Sequence, residues 1–376
     1  MKKPTKAYTS TLDVIRLGVL ICFEMTKQGT PLVPVIWGRV GCGKSQLMQQ
    51  IASYLGYELY DLRTSDKDPT DIGGTPVPNT DTKTLEYYVS NNLIPFKQYD
   101  EKGNYIKPKR KGAILFLDEK DRSTIEVGNS CLQLDLDRSI NGKVLDDDVY
   151  VCGAGNADSD IGTTPLSSAA ATRLIHFFVD TNSSKAVEGW QTWATQAGLP
   201  DWAIAFAEVR KEIFCGEEVE YTEITECTPR TFEWAVRIQE KCEEIGKHAA
   251  RKDVVKALVY GAIGQTAGQE AMAFRRLKKN VPDIEAIISD PEGTPVPGID
   301  SNGGDALGIL YITKQFLIER AWNDGSEDRE ATRAFTTYAS RWPEEIKAAF
   351  MRGAAKRGLT VAGLQEYKDW DASKAA

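Results

Sequence analysis

Histidine is almost missing from this chain: 376 residues contain two, His176 and His248. The seven cysteines stand apart at 22, 42, 131, 152, 215, 227 and 242, and no Cys-x-x-Cys pair occurs. The clustered ligands of a zinc site are therefore absent, and reduced thiols are the simpler expectation than a disulfide framework. Long apolar runs are missing too. The most apolar early stretch, Leu12 to Met25, carries Asp13, Arg16 and Glu24, too much charge over too short a length for a bilayer span. Positive charge is outweighed, with 46 Lys and Arg against 54 Asp and Glu and a net charge of −8. That excludes a general attraction to nucleic acid and leaves only a local basic patch open. Lys2-Lys3 is followed by neither an uninterrupted apolar core nor a small-residue cleavage site, so a soluble, cytoplasmic chain without membrane contact is expected.

What is present is globular in balance. Hydrophobic residues at 41% and charged residues at 27% are near the norm, which excludes wholesale disorder, and the length suits two or three packed units. One stretch organises the rest. Gly38-Arg39-Val40-Gly41-Cys42-Gly43-Lys44-Ser45 fits G-x-x-x-x-G-K-[ST] at every fixed position. Val33 to Trp37 before it reads as a buried strand. Gln46 to Tyr54 after it has helical spacing, with Leu47, Met48 and Ile51 on one side. Glycines at these positions let successive backbone N–H groups point inward as an anion nest at a helix N-terminus. Lys44 is then placed for the β- and γ-phosphates of a nucleoside triphosphate and Ser45 for Mg²⁺. Gly38, Gly41, Cys42, Gly43, Lys44, Ser45 and Gln46 are the expected nucleotide contacts.

Before the motif, Ser10 or Thr11 can cap a helix that Gly29 ends. After it, Tyr57 to Leu62 reads as a strand, Asp66 to Asp81 as a loop with at most one helical turn, and Leu85 to Val89 as a strand. Ala113 to Leu117 has the pattern of a central parallel strand and ends in Asp118-Glu119. Thr124 to Leu136 reads as a helix, Asn141-Gly142 as a hairpin turn, and Val149 to Ala154 and Leu174 to Val179 as strands. From Ser183 helices dominate: Trp202 to Phe214 capped by Asp201, Arg230 to Ile245 behind Thr228-Pro229, Val254 to Ile263, Asp305 to Trp322, and Ala331 to Gly353. The expected fold is an α/β P-loop NTPase core, a parallel sheet flanked by helices, followed by an all-α lid and C-terminal helices. The expected divisions are a core over 1–182, a helical lid over 183–289, and a linker with a C-terminal helical extension over 290–376. The pentapeptide Gly-Thr-Pro-Val-Pro occurs at 74–78 and at 293–297, read as shared turn chemistry.

In a parallel sheet, phosphates bind at the C-terminal ends of the strands. Asp118 at such an end suits Mg²⁺ held through water, and Glu119 suits the polarising of a water that attacks the γ-phosphate. Asn156 closes the next strand, where a neutral amide can orient that water. Arg173, before the Leu174–Val179 strand, can stabilise transition-state charge. Arg230 sits in a helix's first turn, where a cation opposes the macrodipole unless it reaches bound phosphate. His176 within an apolar strand reads as a satisfied core histidine, and Trp190, Trp193 and Trp202 as lid core. Lys107-Pro108-Lys109-Arg110-Lys111, with Tyr87, Tyr88, Phe96, Tyr99 and Tyr105 nearby, reads as a solvated loop or as a segment gripping a polymer.

In this order, over about residues 10–250, the motifs resemble the AAA+ ATPases, and within them the MoxR type. Asp118-Glu119-Lys120-Asp121-Arg122-Ser123 is similar to that group's Asp-Glu-Ile-Asn-Arg-Ala. Gly155-Asn156-Ala157, Gly162 to Leu166 and Ala171-Thr172-Arg173 are similar to its Gln-Asn-Pro, Gly-x-x-Pro-Leu and Asp-Arg-Phe, and Thr228-Pro229-Arg230 to its Ser-Pro-Arg. The resemblance implies that Asn156 is sensor 1, Arg173 an arginine finger offered to a neighbouring subunit, and Arg230 sensor 2. It also implies a homo-oligomeric ring, usually a hexamer, with ATP at subunit boundaries, and a partner bearing a von Willebrand factor A domain. The chain departs from the pattern at Arg39-Val40, at Thr172 and Leu174, and in a longer segment over 90–111. The leading expectation is an Mg-dependent ATPase ring that remodels or matures a protein client. A nucleic-acid motor acting through the basic segment is the alternative. A two-domain helicase would need a second set of strands, which the chain after 183 does not offer, and a GTPase switch would need an Asn-Lys-x-Asp motif, which the sequence lacks.

Overall fold

Three apolar runs explain the centre of the first unit. Pro34–Trp37, Ala113–Asp118 and Val149–Gly155 are buried along their whole lengths, as strands are when both faces of a sheet are covered. The computed structural model describes residues 9–90, 92–156, 171–172, 174–181, 184–211, 227–245, 252–298, 305–323 and 326–361. The chain divides into two compact units, Met1–Gly189 and Trp190–Ala376.

The first unit runs β1 (Thr9–Ser10), α1 (Leu12–Lys27), β2 (Pro34–Trp37), α2 (Lys44–Leu55), β3 (Glu58–Arg63), α3 (Pro69–Gly73), β4 (Thr75–Asn79) and β5 (Thr84–Tyr88). It continues through β6 (Gln98–Tyr99), β7 (Tyr105–Ile106), β8 (Ala113–Asp118), α4 (Ile125–Asp137), β9 (Ser139–Ile140), β10 (Lys143–Val144), β11 (Val149–Gly155) and β12 (Ile175–Val179). Six strands form one sheet in the order β1-β12-β2-β11-β8-β3, and every neighbouring pair is parallel. The two-residue alternation of a strand sorts the core onto two faces. Ile114, Phe116, Tyr150, Cys152 and Ala154 pack with Ile15, Val19 and Phe23 of α1 and with Leu47, Met48 and Ile51 of α2. Leu115, Leu117, Val149 and Val151 point the other way, onto Val127, Cys131 and Leu134 of α4.

Two local expectations change. Over 66–81, α3 is the single helical turn the expectation allowed, with Asp68 and Asp71 forming a capping box, but the stretch expected as loop after it is β4. β4 pairs antiparallel with β5 as a largely exposed ribbon, where Pro76 and Pro78 meet no inward ladder requirement. The same pentapeptide thus enters a strand at Thr75 in its first copy and lies in a turn region with Val296 buried in its second; tertiary surroundings, not the local sequence, decide. The segment before β8 is also more structured than its polarity suggests. It contains the β6–β7 hairpin, it buries Ile94 and Phe96, and Arg110 bonds Asp146 and Asp148 at 2.7 and 2.9 Å. Lys111 donates to the Leu55 carbonyl at 2.7 Å.

The helices that follow are α5 (Ser184–Gln196), α6 (Asp201–Val209), α7 (Pro229–Ile245), α8 (Lys252–Ile263), α9 (Gln265–Leu277), α10 (Ile284–Ser289), α11 (Ala306–Ala321), α12 (Arg329–Ser340) and α13 (Glu344–Arg357), with β13 (Trp322–Asn323) paired to β14 (Ser326–Glu327). Thr228 caps α7, accepting from the Thr231 N–H at 3.2 Å. Asp201 is the first residue of α6, with Pro200 in the cap position. The single helix expected over 331–353 is two. Pro343 bars the helical conformation at Trp342 and starts α13 after a turn. Trp190 and Trp193, both half-buried, pair with each other, and Trp190 meets Phe232; of the three tryptophans expected as core, only Trp202 is fully buried.

Candidate functional site

β2 ends in Trp37 and hands the chain to the glycine loop. Gly41 and Gly43 take φ of +76° and +95°, and Gly43 is the left-handed N-cap of α2, a conformation that resists any side chain. Gly38 is needed for a different reason: a Cβ there would meet Cys42 Sγ and Val179 Cβ at 2.9 Å. Lys44 is the first residue of α2 and is buried. Its Nζ donates to the Gly38 and Arg39 carbonyls at 2.8 and 2.9 Å and to Asn156 Oδ1 at 3.1 Å. Ser45 Oγ donates to Asp118 Oδ2 at 2.7 Å. Cys42 is buried and Gln46 exposed on the same turn.

The sheet register brings the remaining groups to this edge. Gly155 of β11 lies opposite Trp37, and Arg63 of β3 lies opposite Asp118. Asp118, Glu119 and Asn156 therefore converge with the glycine loop, as their places at successive strand ends imply. Glu119 has φ of +56°, rare for a residue with a side chain, and its geometry is held from several sides. Its N–H donates to Asp118 Oδ1 at 2.8 Å, and its carbonyl accepts from the Arg122 N–H at 2.9 Å. Its carboxylate accepts from Ser65 Oγ. Thr64, fully buried beside Ser65, donates through Oγ1 to the Asp118 carbonyl at 3.0 Å. Sequence reasoning missed Thr64 and Ser65. They follow a strand whose neighbour in the sheet is about 50 residues downstream, and no motif marks them.

Two further side chains brace the turn. Lys120 Nζ pairs with Asp135 of α4 at 2.7 Å, both side chains nearly solvent-free. Asp121 Oδ1 accepts from the Asn156 backbone N–H at 2.8 Å, and Oδ2 accepts from Asn156 Nδ2 at 3.2 Å. Both side chains cross β11 where it has glycine. A Cβ at Gly153 would strike Lys120 Cδ at 2.6 Å, and one at Gly155 would strike Trp37 at 2.4 Å and Asp121 Oδ1 at 3.0 Å. Partial desolvation and the Asp118 carboxylate push the nearby Asp61 above its ordinary carboxylate value, and the Arg63 cation opposes this. His176 is satisfied on both nitrogens: Nδ1 accepts from Trp37 Nε1 at 2.8 Å and Nε2 donates to the Ala171 carbonyl at 2.7 Å.

Arg173 lies outside the described residues. Arg230 is exposed, the second residue of α7 in the second unit. For a divalent cation, the donors brought together are Ser45 Oγ and one Asp118 carboxylate, and no group of three or more His, Cys, Asp or Glu forms a metal site among the described residues. Few protein oxygens, with phosphate and water completing the shell, suit Mg²⁺. No described helix is long and apolar enough to cross a membrane.

No protein-family model matches the chain, and no curated protein matches it in sequence. Among solved structures it is similar to the Holliday-junction branch-migration motor RuvB of Thermotoga maritima, at 18% identity over 82% of this chain and 88% of that one, with a TM-score of 0.38. A point mutant of the same RuvB gives 17% identity over 84% and 90%, with a TM-score of 0.40. A Cytophaga hutchinsonii protein provisionally named an ATPase gives 15% identity over 67% and 81%, with a TM-score of 0.32. Likeness this low assigns no activity. The chain's own residues must carry the reading.

Proposed function

We propose that this chain is a Mg-dependent ATPase of the AAA+ class and MoxR type, which works as a homo-oligomeric ring to remodel or mature a protein client. The observation that carries the proposal is the convergence of Lys44, Ser45, Asp118, Glu119 and Asn156 at one edge of an all-parallel sheet, over a glycine loop that opens a helix. The loop N–H groups and the α2 N-terminus favour the polyphosphate. Lys44 exchanges its carbonyl and amide partners for phosphate oxygens. Glu119, steadied by Ser65, takes up proton density from a water as its oxygen attacks the γ-phosphorus, and ADP leaves with the bridging oxygen's electrons. Mg²⁺, held by Ser45 and by Asp118 through water, would neutralise charge on the phosphates.

Ring assembly, the roles of Arg173 as a finger and Arg230 as sensor 2, and a partner with a von Willebrand factor A domain follow from the motif resemblance; the cytoplasmic setting follows from the scattered thiols and the sequence pattern of the N-terminal stretch. Division into a core over 1–182, a lid over 183–289 and an extension over 290–376 is part of the same reading. The nucleic-acid alternative draws less support, because Arg110 is engaged with Asp146 and Asp148 and Lys111, though exposed, bonds the Leu55 carbonyl, which leaves Lys107 and Lys109 as the segment's other exposed cations. The test is Glu119→Gln. It should bind ATP as the parent does and turn over at least about a hundredfold more slowly, the scale of a lost general base, and protein should co-purify with it in ATP. Undiminished hydrolysis would overturn the site. ATPase stimulated by DNA or RNA, and lost on neutralising Lys107 and Lys109, would favour the alternative.

A further inference from the structure

Asn156 stands between two groups of opposite hydrogen-bonding character. On one side is the Lys44 ammonium, which can only donate; on the other is the Asp121 carboxylate, which can only accept. One orientation of the amide satisfies both: Nδ2 toward Asp121 and Oδ1 toward Lys44. Asp121 is 2% exposed and Asn156 7%, so no bulk water competes for these bonds. The Asp121 carboxylate also accepts from the Asn156 backbone N–H, so it grips the residue at two points and prevents the side chain from turning alone. Gly155, the residue before, is what lets the carboxylate come this close.

We propose that Asp121 is the positioning residue that fixes the polarity of Asn156, so that Asn156 presents a carbonyl oxygen, not an amino group, to the nucleotide side of the site. Resting on the hydrolytic reading above, this assigns Asn156 a specific part. When Lys44 turns to the phosphates, the amide oxygen is left facing the reaction zone. There it accepts a hydrogen bond from the attacking water and orients that water's lone pair, while the Nδ2 hydrogen bonded to Asp121 is withheld from the γ-phosphate.

The polarity can be reversed and then restored at almost constant volume. Asp121→Asn replaces an acceptor by an NH₂ group facing Asn156 Nδ2. The Asn156 amide must flip, which turns its own NH₂ toward the Lys44 ammonium. The expected kcat falls about tenfold, one misdirected hydrogen bond, with affinity for a fluorescent ADP analogue held within about twofold. Asn156→Asp alone sets two carboxylates face to face and is expected to lose more. Combining the two substitutions sets the amide NH₂ introduced at position 121 against a carboxylate that again accepts from Lys44, so the double variant should turn over faster than either single one. A residue with a merely packing role would give additive losses. The wild-type protein supplies a second measurement that needs no variant to fold: in ¹⁵N-labelled protein, Asn156 should show one side-chain amide proton protected from solvent exchange. A double variant no faster than the better of the two single ones, or freely exchanging Asn156 amide protons, would overturn the proposal. Glu119→Gln measured alongside separates the two readings. If it loses turnover while the swap fails to rescue, only the role of Asp121 falls; if it keeps turnover, the hydrolytic site itself falls.

Discussion

The Lys120–Asp135 pair offers a quantitative test of how the turn carrying Glu119 is held. Nζ and Oδ2 are 2.7 Å apart, with side-chain exposures of 5% and 0%. Asp135 Oδ1 is buried without a hydrogen-bond partner. Burial works against the lysine charge, but the Asp135 carboxylate, together with the neighbouring Cys131 and Cys152, leaves the Lys120 pKa above its ordinary value. Asp135→Ala removes the counter-charge and leaves the ammonium beneath β11, where Gly153 makes room for the aliphatic stem but offers no acceptor side chain. Breaking a buried pair from one side costs about 3–5 kcal/mol. At about 2–4 °C per kcal/mol for a unit of this size, the unfolding midpoint should fall by about 6–20 °C. Replacing both partners by apolar residues of similar length, Lys120→Met with Asp135→Leu, removes the desolvation penalty along with the attraction and should recover most of that loss. Thermal unfolding of the parent, the single variant and the double variant is the assay, with nucleotide turnover read on each. If Asp135→Ala unfolds within about 1 °C of the parent, or the double variant is as unstable as the single, the pair does not brace the turn in the way its burial implies.

Three other outcomes are expected. Gly155→Ala places a methyl group against Trp37 and Asp121, so it should depress turnover more than nucleotide affinity; steady-state kinetics beside a binding titration would show the split. Asp201 is pushed up to about 6 by burial and by the Glu319 carboxylate, against the pull of Lys278. Its folded pKa lies above the unfolded one, so its ionisation opposes folding: stability is lost as pH rises from about 4 to about 6, by up to about 3 kcal/mol. Asp201→Asn should therefore raise the unfolding midpoint at pH 7 and leave it unchanged below about pH 4, and a pH-independent effect would refute this. Arg173→Ala should lower turnover by about 10³-fold or more if it acts as a finger, and mixing it with Glu119→Gln subunits should restore some activity; no rescue at any ratio would count against action across an interface.

The sequence by itself determined the parts whose cause is local. Strict glycine spacing, a lysine-serine pair and a flanking strand and helix identify the loop at Gly38–Ser45, because the backbone conformation there admits few other residues. The fully apolar runs of β2, β8 and β11 identify central parallel strands, because only a strand covered on both faces needs no polar side. Their ends named Asp118, Glu119 and Asn156 as one site. Tertiary structure alone decided what depends on neighbours distant in the chain. Thr64 and Ser65 reach Asp118 and Glu119 only because β3 pairs with β8. The two copies of one pentapeptide differ because one has β5 beside it and the other buries Val296 in a helical core. The polarity of Asn156 depends on what stands on either side of it. Lys44 is 112 residues earlier and Asp121 is 35 residues earlier. An amide carries both a donor and an acceptor, so its sequence position says that it can bond; only the fold says which end meets Lys44 and which meets Asp121.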